Sequence, residues 1–204
     1  MAIMVLDPHI EDCLMAQRRA ADADRYDEVW EGVYMMTPIP NDEHQQLVSR
    51  LVSILEDTVG WPGLGEVRPG VNLTDRRDDW THNYRVPDIV VFMREGTAEN
   101  RDTHWLGAAD FLVEITSRGD RSREKIAFYE SIGVVELLLV DRQSWTLELY
   151  RREEGRLKKI GQSSVDAGDV LTSEVVPLSL QLTAGDPRPQ IRVTHSSSER
   201  SWMV

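Results

Sequence analysis

The chain has almost no cysteine and no long apolar run. Of its 204 residues one, Cys13, is a cysteine, which excludes an internal disulfide and a zinc site built on paired cysteines. The opening residues carry no basic segment ahead of an apolar core, as a secretory signal requires. No apolar run reaches the length of a membrane span. We therefore expect a soluble, cytoplasmic protein in a reducing compartment.

Basic residues are also fewer than acidic residues. The chain has 23 Lys and Arg against 35 Asp and Glu, a net charge of -12. Affinity for phosphate chains comes mostly from clustered Lys and Arg, so this balance argues against a generic nucleic-acid binder. Local charge can nevertheless oppose the net charge. Basic residues do gather in the middle of the chain, at Arg76, Arg77, Arg85, Arg118, Arg121, Arg123 and Lys125.

The length suits one domain with a core of its own. Residues 1–25 are predicted to form an N-terminal helical extension, with a short amphipathic helix over 8–24. Residues 26–184 are predicted to form the main domain. After Gly185 the composition turns to Pro, Arg, Ser and Thr without periodicity, which predicts a flexible C-terminal tail over 185–204.

Strand and helix patterns alternate through the main domain and indicate an α/β fold. Aromatic and β-branched residues at 26–36 predict a hairpin, with Gly32 at its turn. Asn41 or Asp42 is predicted to cap a helix that runs to about residue 59. A second helix is predicted over 121–132, ended by Gly133. Strands are predicted near 134–140, 145–151 and 157–161, and exposed loops near 74–84 and 94–109.

Two short apolar runs each carry one acid. Residues 89–92 and 111–113 are typical of buried strands; Asp88 precedes the first and Glu114 follows the second. A carboxylate at the margin of a buried strand keeps its charge only beside a compensating positive group, which could be a metal ion, an arginine or a lysine. If the strands are neighbours, the two acids suit a divalent cation, above all Mg²⁺. The backbone carbonyl of Ile115 is a further candidate ligand.

The order of these residues resembles the PD-(D/E)xK signature of restriction-endonuclease-like nucleases, and most closely the Uma family of putative restriction endonucleases. The resemblance covers about residues 26–182. Its motifs are Trp-Glu-Gly-Val-Tyr-Met-Met-Thr-Pro at 30–38, His44, Arg-Val-Pro-Asp at 85–88, Val-Glu-Ile-Thr-Ser at 113–117, Lys125 with Tyr129, and Gly133-Val134 leading to Val140-Asp141.

The resemblance implies a restriction-endonuclease-like mixed β-sheet flanked by helices, with extra β-hairpins. It also implies Mg²⁺-dependent hydrolysis of DNA, with Mn²⁺ as a second ion, by a homodimer. Asp88 and Glu114 would hold the metal. The superfamily lysine two residues after the second acid is replaced here by Thr116, and Lys125 on the next helix would take its place.

The resemblance also places His44 beside the active site and an acid on an early element, either Glu31 or the nearby Glu28. Each of these residues has a plainer interpretation: a surface lysine at 125, a packing histidine at 44, a solvated glutamate at 31. The alternative function is a catalytically inactive nuclease-fold protein that binds or scaffolds a partner. A Ser or Cys hydrolase has little support because no nucleophile-elbow glycine pattern is present.

Overall fold

The structure is a computed structural model, and it describes residues 3–117, 119 and 121–204. Its α-helices are α1 (Pro8–Ala20), α2 (Asp42–Leu55) and α3 (Ile126–Ile132). A π-helical turn, Glu56–Gly60, extends α2, and 3-10 turns span Trp80–His82 and Ser122–Lys125. None of the described helices is long and apolar enough to cross a membrane.

Seventeen strands lie within the described residues. In chain order they are β1 (Ile3–Val5), β2 (Glu28–Trp30), β3 (Val33–Met36), β4 (Gly65–Pro69), β5 (Leu73–Thr74), β6 (Tyr84–Arg85), β7 (Ile89–Met93), β8 (Glu99–Asn100), β9 (Trp105–Leu106), β10 (Phe111–Thr116), β11 (Glu136–Asp141), β12 (Thr146–Glu153), β13 (Arg156–Ser164), β14 (Leu171–Thr172), β15 (Leu178–Thr183), β16 (Gln190–His195) and β17 (Ser201–Met203).

The strands form three sheets. The hairpin sheet has the order β1-β3-β2-β6-β5-β9-β8, the central sheet β13-β12-β11-β10-β7-β4, and the C-terminal sheet β14-β15-β16-β17. In the central sheet β10 and β11 run parallel, whereas the other neighbours run antiparallel. This mixed sheet with helices and added hairpins is the architecture that the sequence predicts.

The central sheet is covered on both faces, because successive side chains of a strand point to opposite sides. On one face, Leu47 of α2 shares a buried core with Ile89 and Val91 of β7. On the other, Phe128 of α3 shares a second core with Val90. Every residue of β10 is buried, as predicted for residues 111–113, and the strand continues through Glu114 to Thr116, so Glu114 lies within it.

All three predicted helices are confirmed, with α1 inside the predicted span 8–24, and the ends of α2 and α3 follow local chemistry. Asn41 begins α2: its side-chain oxygen accepts the backbone N–H of His44 at 3.2 Å. The helix predicted over 121–132 starts as the 3-10 turn and continues as α3. Gly133 ends it with a φ of 99°, a left-handed conformation that suits glycine.

The region predicted as a loose tail is ordered. After Gly185, β16 pairs with β15 over six residue pairs and β17 pairs with β16. Ile191, Val193 and Val204 lie in the same core as α2. The short alternation of Ile191 and Val193 with polar residues is the strand signal that composition alone concealed.

Candidate active site

A cavity of about 380 Å³ opens where the hairpin sheet, the start of α2 and the central sheet meet. It is lined by residues of β2, the β3–α2 loop, β10 and the 3-10 turn before α3. Four of the side chains singled out in the sequence line it: His44, Asp88, Glu114 and Lys125. Ile115 lines it as well. The two acids therefore face one common space.

Asp88 and Glu114 are neighbours because their strands pair. In the antiparallel register of β7 and β10, Ile89 lies opposite Val113. Asp88 directly precedes Ile89 and Glu114 directly follows Val113, so both acids lie at this end of the strand pair, and both line the cavity. The sequence prediction that these two strands are neighbours is confirmed.

Two donors fix the carboxylate of Asp88. His44 Nε2 lies 2.8 Å from Oδ1, and the backbone N–H of Ile115 donates to Oδ2 at 2.7 Å. His44 sits in the first turn of α2, so the Asn41 cap also holds the imidazole in place. The histidine therefore orients the Asp88 carboxylate from the start of α2.

Glu114 is almost fully buried and is held by three side chains of the following turn and helix. Its Oε1 accepts hydrogen bonds from Tyr129 Oη and, at 3.1 Å, from Lys125 Nζ. Its Oε2 accepts from Ser122 Oγ at 3.2 Å. Lys125 and Tyr129 are one helical turn apart, a spacing that places both on the same helix face.

Lys125 bridges two acids from different sheets. Its Nζ lies 2.7 Å from Glu28 Oε1 and 3.1 Å from Glu114 Oε1, and 12% of its side chain is exposed. The Glu28 carboxylate also accepts the backbone N–H of Val86 at 2.8 Å and Nε1–H of Trp30 at 2.6 Å. Glu28 is therefore the early acid that joins the site.

Glu31 lies elsewhere. It occupies the two-residue turn between β2 and β3 with a φ of 49°, next to Gly32 at 83°, and Trp30 pairs with Val33 across the turn. Positive φ at both central residues defines a type I′ turn. The Glu31 side chain is 68% exposed and pairs with Arg76 at 3.2 Å. The Glu-Gly turn signal could have identified it as a loop residue.

Burial and negative charge shape the ionisation of the site. Burial is the main cause that raises the pKa of Glu114 to about 8; Lys125 opposes this shift, whereas Asp88 and Glu28 add to it. Burial would lower the pKa of Lys125, but Glu114 and Glu28 outweigh it and hold that pKa above its usual range. Burial also raises the pKa of Tyr129. The lysine is thus the permanent cation of the site.

The donor set fits a divalent cation that prefers oxygen ligands. Asp88 and Glu28 both help to raise the pKa of Glu114, so the acids repel one another across the cavity, and a bound cation would relieve this repulsion. Among the described residues each oxygen of Asp88 accepts one hydrogen bond, as does Glu114 Oε2, and a carboxylate oxygen has two lone pairs. Among the described residues no three His, Cys, Asp or Glu side chains form a ready metal cluster. The two carboxylates would need backbone or water oxygens to complete a shell.

Most of the basic residues that bracket the site in sequence already form ion pairs or contacts with aromatic rings. The ion pairs are Arg76–Glu31, Arg77–Glu99, Arg121–Glu124 and Arg123–Glu148. Arg85 is buried between the rings of Trp30 and Phe128, at 4.6 and 4.3 Å from their centroids. Arg118 lies outside the described residues. Among the described residues, the basic side chains from the middle of the chain are therefore largely neutralised.

Comparison with known proteins gives a family and a fold. The model of a family described as "Uma2: Putative restriction endonuclease" matches residues 14–185, in agreement with the resemblance in the sequence. A crystal structure of a putative nuclease belonging to DUF820, from Anabaena variabilis ATCC 29413, is similar with a TM-score of 0.56. It is 21% identical, and the match covers 72% of this chain and 80% of that chain. Likeness at this identity concerns the fold alone. No curated relative matches the sequence.

Proposed function

The chain belongs to the Uma2 family, and we propose that it is an endonuclease that hydrolyses phosphodiester bonds of DNA with a divalent metal ion, Mg²⁺ or Mn²⁺. The observation that carries this proposal is the convergence of Asp88, Glu114 and Lys125 in one cavity of a nuclease fold. Two acids and an ammonium group are the parts that metal-assisted phosphodiester hydrolysis needs.

Asp88 and Glu114 would hold the ion, together with the backbone carbonyl of Ile115. When bound, it would polarise the scissile phosphate and lower the pKa of the attacking water. Tyr129 and Ser122 fix the Glu114 carboxylate, and His44 fixes that of Asp88. Such supporting hydrogen bonds keep the ligand oxygens in a productive orientation.

Lys125 would stabilise the negative charge that grows on the phosphate oxygens in the transition state. Its raised pKa keeps it protonated, and Glu28 anchors it from the opposite side of the cavity. An ammonium group held in place before the reaction has little reorganisation left to undergo, which is the basis of electrostatic catalysis. The position of the Lys125 ammonium group, 3.1 Å from Glu114, supports this lysine as the substitute for the one missing at Thr116.

The test is nicking of supercoiled plasmid DNA by purified protein with Mg²⁺ or Mn²⁺. Asp88→Asn and Glu114→Gln keep side-chain volume but remove the charge, so both should abolish nicking and metal binding measured by calorimetry. The exposed acid Glu31 offers a matched control, Glu31→Gln, which should retain both. Unchanged nicking by either cavity variant in a clean preparation would refute the assigned roles.

A catalytically inactive binding protein on the same fold is the second candidate, and one observation favours it. Lys125 lies between Glu28 and Glu114 at ion-pair distance from both, so the positive charge the cavity needs is partly supplied from within. A stable DNA or protein complex, with no cleavage of linear, supercoiled or branched DNA in either metal, would favour this candidate.

We further propose that the protein acts as a homodimer, since two copies of one site related by two-fold symmetry can cut both strands of a duplex. Sedimentation analysis with and without DNA measures this directly. A monomer under both conditions would contradict the proposal without affecting the assignment of the site.

A further inference from the structure

Three adjoining cavities form a groove that leads away from the candidate active site. The active-site cavity shares His44 and Asp88 with a second cavity of about 510 Å³. The second shares Arg25 and Gly70 with a third of about 460 Å³. We propose that this groove holds one unpaired strand of the substrate and that a base of that strand stacks in the third cavity.

The third cavity, here the aromatic pocket, is lined by Trp80, Tyr84, His104 and Trp105. The half-buried ring of Trp80 stacks on His104, with centroids 4.7 Å apart, and meets Tyr84 edge-on at 5.3 Å. Exposed loops were predicted here, but Trp105 is buried and stacks on Phe92 at 3.7 Å. Aromatic rings on a firm support are the usual platform for unpaired bases of any sequence.

A buried polar atom in this pocket lacks a partner. His104 is 8% exposed, and its Nε2 forms no hydrogen bond with any residue that the structure describes. An unsatisfied buried nitrogen is costly. This nitrogen is covered in the unbound protein, so a base that enters beside Trp80 would shift that ring slightly and supply the missing hydrogen bond.

The charges divide the groove into a base site and a phosphate site. Two acids of the aromatic pocket are neutralised by ion pairs: Asp27 pairs with Arg18, and Asp24 pairs with Arg19 at 3.6 Å. The other charged residues that line this pocket are Asp102, which is exposed, and Arg25. Arg25 is exposed at the junction with the second cavity and makes no ion pair among the described residues. Its guanidinium suits a phosphate, whereas the aromatic walls suit a base.

The spacing fits a strand that runs past the scissile position. The backbone N–H of Gly70 donates to Asp88 O at 3.3 Å, and Asn72 O accepts from the N–H of Trp105 at 2.8 Å. Two residues of backbone span at most about 7 Å, so the aromatic pocket begins close to the backbone of Asp88. Gly70 has a φ of 58°, and a Cβ there would lie 3.3 Å from the Tyr26 ring. Glycine thus keeps the groove open.

A base in the aromatic pocket cannot remain in its Watson–Crick pair, and extracting it from a duplex costs a few kcal/mol. The preferred substrate is therefore single-stranded DNA, or duplex DNA with an unpaired stretch next to the cut. This inference rests on the proposed nuclease function for its meaning. Its test is a binding measurement, which remains valid if no cleavage is found.

The experiment compares the affinities of three labelled probes by fluorescence anisotropy in EDTA: a single strand of about 20 nucleotides, its duplex, and the same strand made fully abasic. A strand of about 20 nucleotides exceeds the binding sites of single-strand-binding folds, which cover up to about 16 nucleotides. We expect the intact single strand to bind most tightly. Trp80→Ala should weaken it by about 5- to 100-fold and leave the abasic strand unaffected. Arg25→Ala should weaken both and reduce the salt slope by about 1.

The matched controls are Trp61→Ala, at a tryptophan that is 75% exposed, and Arg94→Ala, which lies at the opposite end of β7 from Asp88. Neither should change any affinity. Equal loss of the intact and abasic strands in Trp80→Ala, or duplex binding as tight as single-strand binding, would overturn the proposal.

A second measurement on the unmodified chain covers the case in which Trp80→Ala does not fold. A strand that carries the fluorescent base 2-aminopurine should lose fluorescence on binding, because the probe stacks on the aromatic rings. Binding without that quenching overturns the proposal. Nicking by a protein that shows no base-dependent binding would leave the nuclease function intact and remove this inference alone.

Discussion

Replacement of Glu28 by glutamine should affect the protein far more than the same change at Glu31, three residues away. The Glu28 carboxylate serves three buried donors: Lys125 Nζ at 2.7 Å, the backbone N–H of Val86 at 2.8 Å and Nε1–H of Trp30 at 2.6 Å. The single side-chain oxygen of glutamine can accept hydrogen bonds from only some of these three donors. Its amide nitrogen, however, is a donor and would face another donor.

The cost of Glu28→Gln follows from these contacts. A hydrogen bond to a charged group contributes about 1.5–3 kcal/mol, and a fully broken buried ion pair costs about 3–5 kcal/mol. Lys125 keeps Glu114 at 3.1 Å, so we expect a loss of about 2–3 kcal/mol in the free energy of unfolding. For a chain of this size that corresponds to a melting temperature lower by roughly 4–12 °C.

Glu31→Gln is the matched control, because Glu31 is 68% exposed and its pair with Arg76 is screened by solvent. Its effect should stay within about 0.5 kcal/mol. Urea denaturation followed by tryptophan fluorescence measures both variants, and plasmid nicking should fall at least about tenfold for Glu28→Gln alone. Equal losses in the two variants, or a Glu28→Gln protein as stable as the original, would refute the reasoning.

Three further outcomes are expected. Because the pKa of Glu114 is raised, its contribution to the free energy of unfolding is complete below about pH 4.5 and is lost as the pH rises through about 8. Glu114→Gln should therefore flatten the pH dependence of stability, measured by urea denaturation, between these values. An unchanged pH profile would contradict this expectation. His44→Ala should lower Mg²⁺ affinity and nicking by about 10- to 100-fold through loss of the contact to Asp88, with a smaller effect on melting. Glu136→Ala should lower the free energy of unfolding by about 3–5 kcal/mol, because the fully buried Glu136 carboxylate pairs with Arg151 at 2.7 Å. The control is Glu174→Ala, at a side chain that is 70% exposed, and it should change the free energy of unfolding little.

The central strands and their acids were predictable because the signal is local. A fully apolar run such as residues 111–113 predicts a strand covered on both faces, and an acid directly after that run indicates a compensating partner. Glu114 could therefore be selected without knowledge of the fold. Its pairing with Asp88 needed only the assumption of adjacent strands, and the register of β7 and β10 confirms that assumption.

The hairpin sheet was not predictable in the same way, because several of its strands have only two residues. A pair such as Trp105-Leu106 shows no periodicity, and its place in a sheet is decided by partners far away in sequence. The choice between Glu28 and Glu31 was different. It could have been decided from the Glu-Gly turn, which leaves Glu28 on the ladder and Glu31 outside it.

The Lys125 bridge has a consequence for the living cell. Glu28 belongs to the hairpin sheet and Glu114 to the central sheet, so the ammonium group acquires both acids only after the two layers have docked. A chain that is still emerging from the ribosome, or one that has partly unfolded, lacks this assembled group of side chains. Under the proposed nuclease function, competence to cut would then be a property of the finished tertiary structure.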